Sequence, residues 1–349
     1  MMKRIDSKTG TSPTGVGQLP GRRESVLGLS AWGLSITLGL GASGARAQSA
    51  TWPQRPVKWI LSQPAGAGPD IVARYLAEQL SKVWSQPVVI ENRPGGQNVI
   101  GAQAAARSAP DGYTFFYSTT AAMVTNSFTF KTLPYDPEKD FVPIALVGRS
   151  PFVFAASSAS GFKSLSDVLS QAKAQPASVA IATEGPKTFS GMLADHVAAL
   201  AGTRWNHVPY TKASDAIQDA LGGRVPLVCL PEVALLPFIR SGQLQALAVS
   251  TAARVPSLAN VPTLGETFKG FEYSGWNGLF APTGTPADLV ARVNKDINAV
   301  LQQSDVQQKL LSLGSIPESA MTSEAFSAFM NAERERWARL IKAIGVKAE

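Results

Sequence analysis

Cysteine and histidine are scarce in this sequence. Its 349 residues include one cysteine and two histidines. Because a disulfide needs two cysteines, no intrachain disulfide can form, and Cys229 lies in an apolar run where we expect a core residue. His196 and His207 lie apart along the chain, and neither has a cluster of cysteines or carboxylates beside it. We therefore predict no metal site and no cofactor.

Nucleotide-binding and hydrolase motifs are also missing. Gly66 and Gly68 follow an apolar run as in a dinucleotide fingerprint, but Ile71 stands where the third glycine belongs. The same loop lacks the Lys-Ser/Thr ending of a phosphate-binding loop, and no G-x-S-x-G segment occurs in the chain. We predict that the protein is not an enzyme. A hydrolase that uses the same loops stays an alternative, because counting residues does not exclude a Ser-His-Asp triad.

The net charge is +7, but much of it belongs to the beginning of the chain. Residues 1–47 contribute +4, which leaves +3 for the other residues. An excess of three positive charges over such a length is too small to indicate a nucleic-acid surface, so we predict no nucleic-acid partner.

Residues 1–47 have the pattern of an export signal. A basic, polar stretch ends at Arg22-Arg23, a mildly apolar run covers 26–40, and Ala45-Arg46-Ala47 follows. The small residues at 45 and 47 predict cleavage after Ala47. The apolar run is too short and too rich in Gly and Ser for a membrane span. Because the arginine pair also resembles a twin-arginine signal, both the general secretory route and the twin-arginine route remain open.

After residue 47, apolar β-type runs alternate with helical patterns, which predicts an α/β fold. The patterns predict a strand at 244–249, helices at 189–201 and at about 323–344, a helix that starts at Ser164-x-x-Asp167, and a helix with Pro286 at its first position. No linker rich in Pro or Gly divides this part of the chain. We therefore predict two lobes that share two crossovers, near 148–153 and 271–276. The first lobe would comprise 48–150 and 275–349, and the second 151–274. A linear arrangement of two domains is the alternative.

Two glycine-bearing loops, at 61–70 and 182–190, are the most informative segments. Each follows a strand-like run and opens a helix, so each is expected to offer unpaired N–H groups and the positive end of a helix dipole. Such loops suit a small anion. Hydroxyl and amide side chains stand at further strand ends, where ligands bind in open α/β sheets; taken singly, such residues are more often helix caps. These residues are Ser118, Thr119, Thr120, Asn126, Thr183, Thr188 and Ser190.

A series of ordered motifs between about Trp52 and Val346 closely resembles the tripartite tricarboxylate transporter substrate-binding proteins, also called the Bug family. The motifs include Trp52-Pro-x-Arg-Pro-Val57, Gly66-x-Gly68-x-Asp70, Val88-Val-Ile-Glu-Asn-Arg-Pro-Gly-Gly96, Ala109-Pro-Asp-Gly-Tyr-Thr114, His207-Val-Pro-Tyr210 and Ala281-Pro-x-Gly-Thr-Pro286. The resemblance implies a type II periplasmic-binding-protein fold, in which two lobes, each with a central mixed sheet flanked by helices, close around a small organic carboxylate.

The resemblance also implies a function and a set of ligand residues. It implies a monomeric periplasmic receptor that delivers its ligand to a membrane permease; a sensor that presents the ligand to a membrane signalling partner is the alternative. In such proteins the backbone of the first loop binds one carboxylate. The residues implied here are Ala65, Gly66, Ala67, Gly68 and Asp70 in the first loop, Ser118, Thr119, Thr120 and Asn126 beside it, and Thr183, Gly185, Thr188 and Ser190 in the second lobe. Tyr210 and Lys212, which follow the His207-Val-Pro segment, are further candidate ligand residues.

Several positions of the second lobe depart from the family pattern. Thr211-Lys212 follows Tyr210 where Lys-Gly is usual, and Leu230-Pro231 stands where an aspartate is frequent. Losing an acid removes a partner for an ammonium group, so the sequence favours a carboxylate without an amino group. Lys212 is either a partner for a second carboxylate or a solvent-exposed lysine.

Overall fold

The computed structural model describes residues 52–348. The predicted signal peptide, 1–47, lies outside the described residues. In the part that is described, no helix has the length and apolar character needed to cross a bilayer.

The first sheet is built from strands that are distant in sequence. Within residues 52–348 it has six strands in the order β11-β4-β10-β3-β1-β2. Strands β1, β2 and β3 are parallel, whereas β10 runs antiparallel between β3 and β4. The strands are β1 (Val57–Leu61), β2 (Val88–Asn92), β3 (Thr114–Thr119), β4 (Phe141–Ser150), β10 (Gly275–Pro282) and β11 (Ile316–Pro317).

The second sheet is formed by the strands between residues 152 and 249. Its five described strands have the order β7-β6-β8-β5-β9, with β5 antiparallel to both of its neighbours. The strands are β5 (Phe152–Ser157), β6 (Ala180–Thr183), β7 (Asn206–Pro209), β8 (Leu227–Pro231) and β9 (Leu244–Val249). These two mixed sheets, each flanked by helices, confirm the predicted two-lobed α/β fold class.

Helices cover both sheets. In the first lobe they are α1 (Gly68–Trp84), α2 (Val99–Ala106), α3 (Asn126–Thr129), α9 (Ala287–Leu301), α10 (Ser304–Ser312) and α11 (Ser323–Ile344). In the second they are α4 (Leu165–Ala174), α5 (Phe189–Ala201), α6 (Ala213–Leu221), α7 (Glu232–Arg240) and α8 (Leu264–Thr267). Ser164 begins α4 with a capping box that includes Asp167, as Ser-x-x-Asp indicates.

One helix start differs from its sequence prediction. The sequence pattern puts Pro286 at the first position of a helix, but Pro286 is the N-cap residue and α9 begins at Ala287. A one-residue difference is ordinary for a helix boundary.

An aromatic cluster joins the two lobes. Trp337 of α11 contacts Phe189 of α5, with ring centroids 4.6 Å apart, and Phe189 stacks on Phe152 at the start of β5. Trp337 is fully buried, and Phe152 and Phe189 are nearly so. Aromatic side chains bury large apolar areas, so α11 serves the cores of both lobes.

Strand direction brings the ligand-type loops to one place. The carboxyl ends of β1, β2, β3 and β4 lie at one edge of the first sheet, and the chain leaves that edge through Pro151. It enters the second sheet at Phe152, which pairs with Pro231 at the carboxyl end of β8, and β6 runs parallel to β8. The carboxyl edges of the two sheets therefore face each other across the crossover.

Candidate functional site

The first loop connects β1 to α1 and presents free backbone donors. Ala65 and Gly66 are exposed, and Gly68 is the first helical residue. The Gly66 N–H is bonded to Asp70 and the Ala67 N–H to Pro64 O, at 2.8 and 3.2 Å. Within residues 52–348, no acceptor is paired with the N–H groups of Ala65, Gly68 and Asp70. Free donors at the start of a 17-residue helix form an arrangement suited to an anion.

Asp70 holds this loop in shape. It is the third helical residue, after the N-cap Ala67, so it stabilises the turn from inside the helix and not as its N-cap. Its carboxylate accepts hydrogen bonds from the Gly66 N–H, the Arg74 guanidinium and the Asn92 amide, at 2.8 to 2.9 Å. Burial opposes ionisation of Asp70, but these bonds outweigh it and lower the pKa of the carboxyl. Asp70 is therefore a positioning residue whose own oxygens are occupied.

Gln63 links the first loop to the end of β3. Its amide nitrogen donates to Thr119 Oγ1 at 3.1 Å and to Asn98 Oδ1 at 2.9 Å. Thr119 is half-buried, so the structure brings one predicted ligand residue next to the first loop. Nearby, the buried Asn277 pairs with Thr119 across β10 and β3, and its Oδ1 has no donor in the described part of the chain.

The other polar residues at the end of β3 and just after it make hydrogen bonds within the protein. Ser118, Thr120 and Asn126 are buried. Thr120 Oγ1 accepts from the Trp276 N–H at 3.0 Å, and the Asn126 amide donates to Gln97 O at 2.9 Å. Residues 121–125 form a π-helical turn that leads into α3, which the sequence pattern did not indicate. The geometry gives Thr120 and Asn126 roles in fixing this turn.

The second loop satisfies much of its own hydrogen bonding. The Glu184 N–H donates to Ser190 Oγ at 3.0 Å, and the Gly185 N–H donates to Thr183 Oγ1 at 3.2 Å. Thr188 caps α5 by accepting from the Gly191 N–H, while its hydroxyl donates to Gly185 O at 2.7 Å. The two loops therefore differ. The first loop has backbone N–H groups without an acceptor in the described part of the chain, whereas several backbone N–H groups of the second loop donate to side chains of the same segment.

Glu184, the first residue after β6, is an acid at this edge that was not among the predicted ligand residues. Its side chain is exposed, yet protein surrounds it closely enough that desolvation raises its pKa to about 6. Its position in the glycine-bearing loop was the signal that could have identified it.

Tyr210 and Lys212 follow β7 at the same edge. The Tyr210 hydroxyl donates to Asp219 at 2.7 Å, and burial together with that bond raises its pKa to about 12. Lys212 is exposed and is the N-cap residue of α6, with no side-chain capping bond. The structure places Tyr210 in a local network, whereas the Lys212 ammonium extends into solvent.

The two helix starts at the facing edges touch. A Cβ atom built on Gly68 would lie 2.1 Å from Val233 Cγ1, near the start of α7.

Glu232 precedes Val233, so an acid does stand at the exit of β8, next to the positions where the sequence suggested that one was lost. It is fully buried, contacts the Ser257 hydroxyl, and donates its backbone N–H to Pro151 O at 2.8 Å.

Other candidate features lie outside this arrangement. Two open recesses, of about 530 and 350 Å³, are lined by some of the residues between 127 and 138 and between 252 and 272, and neither lining includes a predicted ligand residue. His196 stacks on Phe271, and His207 pairs with Asp195 at 2.7 Å. Within residues 52–348, no three His, Cys, Asp or Glu side chains are grouped so as to hold a metal ion. Cys229 is buried, which together with the nearby Glu184 charge raises the pKa of its thiol.

Comparison with known proteins identifies the family to which a chain with this geometry belongs. A model of the tripartite tricarboxylate transporter family receptor matches residues 72–346. The chain belongs to this family. Among curated relatives of this receptor, BugT from Bordetella pertussis is 34% identical over 299 residues, which cover 85% of this chain and 91% of BugT. A second relative, from Bordetella bronchiseptica, is 32% identical over 323 residues, which cover 92% of this chain and 95% of that protein.

Several solved structures share this fold. Rpa4515 of R. palustris, in a complex with adipate, has a TM-score of 0.82 and 29% identity, and the match covers 85% of this chain and 100% of that one. MatC from Rhodopseudomonas palustris with bound malate has a TM-score of 0.76 and 30% identity, with 83% and 100% covered. BugD has a TM-score of 0.78 and 30% identity, with 85% and 100% covered. These similarities confirm the family resemblance that the sequence motifs indicate.

Proposed function

We propose that this receptor captures a small organic carboxylate between its lobes in the periplasm and delivers it to a tripartite tricarboxylate-type permease. The observation that carries the proposal is the set of free N–H groups of Ala65, Gly68 and Asp70 at the start of α1. A helix start with free donors binds an anion by charge-assisted hydrogen bonds, each contributing about 1.5–3 kcal/mol. The family neighbours bound to adipate and malate support a carboxylate as that anion.

The opposite lobe completes the site in this proposal. The carboxyl edge of the second sheet faces the first loop, and Val233 contacts Gly68 there. A ligand seated at this junction would be withdrawn from water as the lobes close, and binding would favour the closed state through contacts that exist only there. The receptor then makes and breaks no covalent bond, because its function is to bind the ligand more tightly when the lobes are closed than when they are open.

The proposal is tested by a thermal-shift screen of the purified protein with aliphatic monocarboxylates, dicarboxylates and aromatic carboxylates. Matched uncharged primary amides serve as controls. A ligand that binds only the folded state raises the melting temperature by mass action. We expect a saturable increase with at least one carboxylate and none with its amide, followed by calorimetry to measure the affinity. Equal effects of acid and amide, or no effect of any carboxylate, would contradict the proposal.

Delivery is tested separately, by uptake of the identified carboxylate into cells that contain the receptor and its permease. We expect uptake to be lost when the receptor is deleted. Unchanged uptake would remove the transport part of the proposal while leaving the binding part intact.

A further inference from the structure

Glu184 has a fixed position at the edge of the second lobe that faces the first loop. It comes directly after β6, whose carboxyl end lies at this edge. Its backbone N–H is held by Ser190 Oγ, and the next N–H is held by Thr183 Oγ1. Ser190 and Thr183 are fully buried. Bonds from buried groups on both sides fix the direction in which this residue leaves the strand.

Glu184 is accessible at this edge, although protein atoms lie close to its carboxyl group. The residue is exposed, so solvent or a ligand can reach it. Protein atoms nevertheless surround the carboxyl and raise its pKa to about 6, and its charge contributes to the raised pKa of the Cys229 thiol on β8. A molecule held at the carboxyl edges of the two sheets could therefore reach this carboxyl group.

Among residues 52–348, the Glu184 carboxylate has no positive partner. In the part of the chain that the structure describes, Ser190 is the side chain that stabilises its charge, and no Lys or Arg does so. An enclosed acid without a cation attracts hydrogen-bond donors and repels a second negative charge.

We propose that Glu184 selects ligands that carry a hydrogen-bond donor, an ammonium or hydroxyl group, at the end remote from the carboxylate bound by the first loop. This inference rests on the proposed function, because it assumes that the first loop holds a carboxylate. It replaces the expectation of a ligand without an amino group, which depended on the loss of an aspartate at Leu230-Pro231; the nearby Glu232 is fully buried and contacts Ser257. Glu184 supplies that acid from a different loop.

The test uses four acids of one chain length that differ only at the far carbon. The far group is methyl, hydroxymethyl, aminomethyl or carboxylate, and the chain length is that of the best straight-chain binder in the thermal-shift screen. If the screen finds only aromatic acids, the same four groups are placed para to the carboxylate of benzoic acid. Calorimetry is performed at about pH 8, where a carboxyl with a pKa of about 6 is ionised. The proteins compared are the wild type, Glu184→Gln and, as a charge-matched control on α11, the exposed Glu335→Gln.

For the wild type we expect the amino or hydroxy acid to bind at least about tenfold more tightly than the diacid. In Glu184→Gln that preference should shrink by about tenfold or more, with the diacid gaining affinity, while Glu335→Gln keeps the wild-type order. Three results would overturn the inference: a wild type that prefers the diacid, an unchanged order in Glu184→Gln, or a uniform loss across all four acids. Failure of every carboxylate in the screen would instead overturn the proposed function.

Discussion

Gly68 at the start of α1 lies against Val233 at the start of α7, with no room for a side chain between them. The hypothetical Cβ of residue 68 would be 2.1 Å from Val233 Cγ1 but 3.6 Å from Val233 Cβ. The obstacle is therefore one methyl group. Because Gly68 belongs to the first lobe and Val233 to the second, the pair limits how closely the two lobes approach.

The first prediction follows from that contact. Gly68→Ala should weaken binding of the carboxylate by about tenfold or more, because an overpacked contact costs about 1–3 kcal/mol. Val233→Ala removes the obstructing methyl group, so the double variant should recover most of the affinity. Calorimetry on the wild type, both single variants and the double variant measures this coupling. Additive effects, with no recovery in the double variant, would show that the contact does not govern closure.

Asp70 gives a second prediction, on stability. Asp70→Asn keeps the shape of the side chain but removes the charge that accepts from Arg74, Asn92 and the Gly66 N–H. We expect a loss of about 1–3 kcal/mol in the free energy of unfolding at neutral pH. Because the folded-state pKa of Asp70 is lowered, its contribution is present above the unfolded value of 3.8 and is lost as pH falls through the folded value. Urea unfolding at pH 7 and near pH 3 should show a smaller difference between the proteins in acid; an equal difference at both pH values would contradict this explanation.

Glu232 gives a third prediction, with the opposite sign. Burial raises its folded-state pKa from 4.5 to about 7, although the Ser257 hydroxyl and the charge of Arg240 oppose that shift. Over this interval the folded protein holds a proton that the unfolded chain has released, so stability decreases as pH rises. A shift of this size corresponds to about 3 kcal/mol.

Glu232→Gln removes this titration while keeping an acceptor for Ser257. Its stability relative to the wild type should therefore increase between pH 5 and pH 8, by up to about 3 kcal/mol. Denaturant unfolding across this range measures the difference, and Glu335→Gln on the exposed face of α11 controls for loss of one negative charge. If the difference between Glu232→Gln and the wild type is independent of pH, Glu232 is ionised in the folded protein and the prediction is wrong.

Thr188 gives a fourth prediction, which separates helix capping from ligand contact. Its hydroxyl donates to Gly185 O and its oxygen accepts from the Gly191 N–H, so its single proton is already used. Thr188→Ala should reduce stability by about 1 kcal/mol, the usual effect of losing an N-cap. Affinity for the carboxylate should change by less than about threefold. A large loss of affinity with unchanged stability would identify Thr188 as a ligand contact instead.

Much of the fold could be predicted from the sequence, because its signals are local. The apolar stripe of α11 predicted a helix over 323–344, and the structure has that helix with Phe326 and Trp337 buried. The strand at 244–249 and the helix at 189–201 also have the predicted bounds. Each depends on a periodic pattern within a single segment, which the chain outside that segment does not alter.

The candidate site was harder to predict, because its pairings are not local. Gln63 contacts Thr119, 56 residues away, and no spacing rule connects the two. The first loop was found because a glycine-bearing loop before a helix is itself a signal. For Thr188, helix capping could be distinguished from ligand contact only when the acceptor of its hydroxyl proton was known. Glu184 was missed because an acid is enclosed or free according to what surrounds it.

The central claim is that backbone N–H groups at the start of α1 hold the ligand carboxylate. A crystal structure of the complex with the tightest carboxylate from the screen tests this most directly. We predict a carboxylate oxygen 2.7–3.2 Å from at least one of the Ala65, Gly68 and Asp70 nitrogens, or one ordered water that is hydrogen-bonded to both such a nitrogen and the carboxylate. A carboxylate held by lysine or arginine side chains away from this loop would contradict the claim.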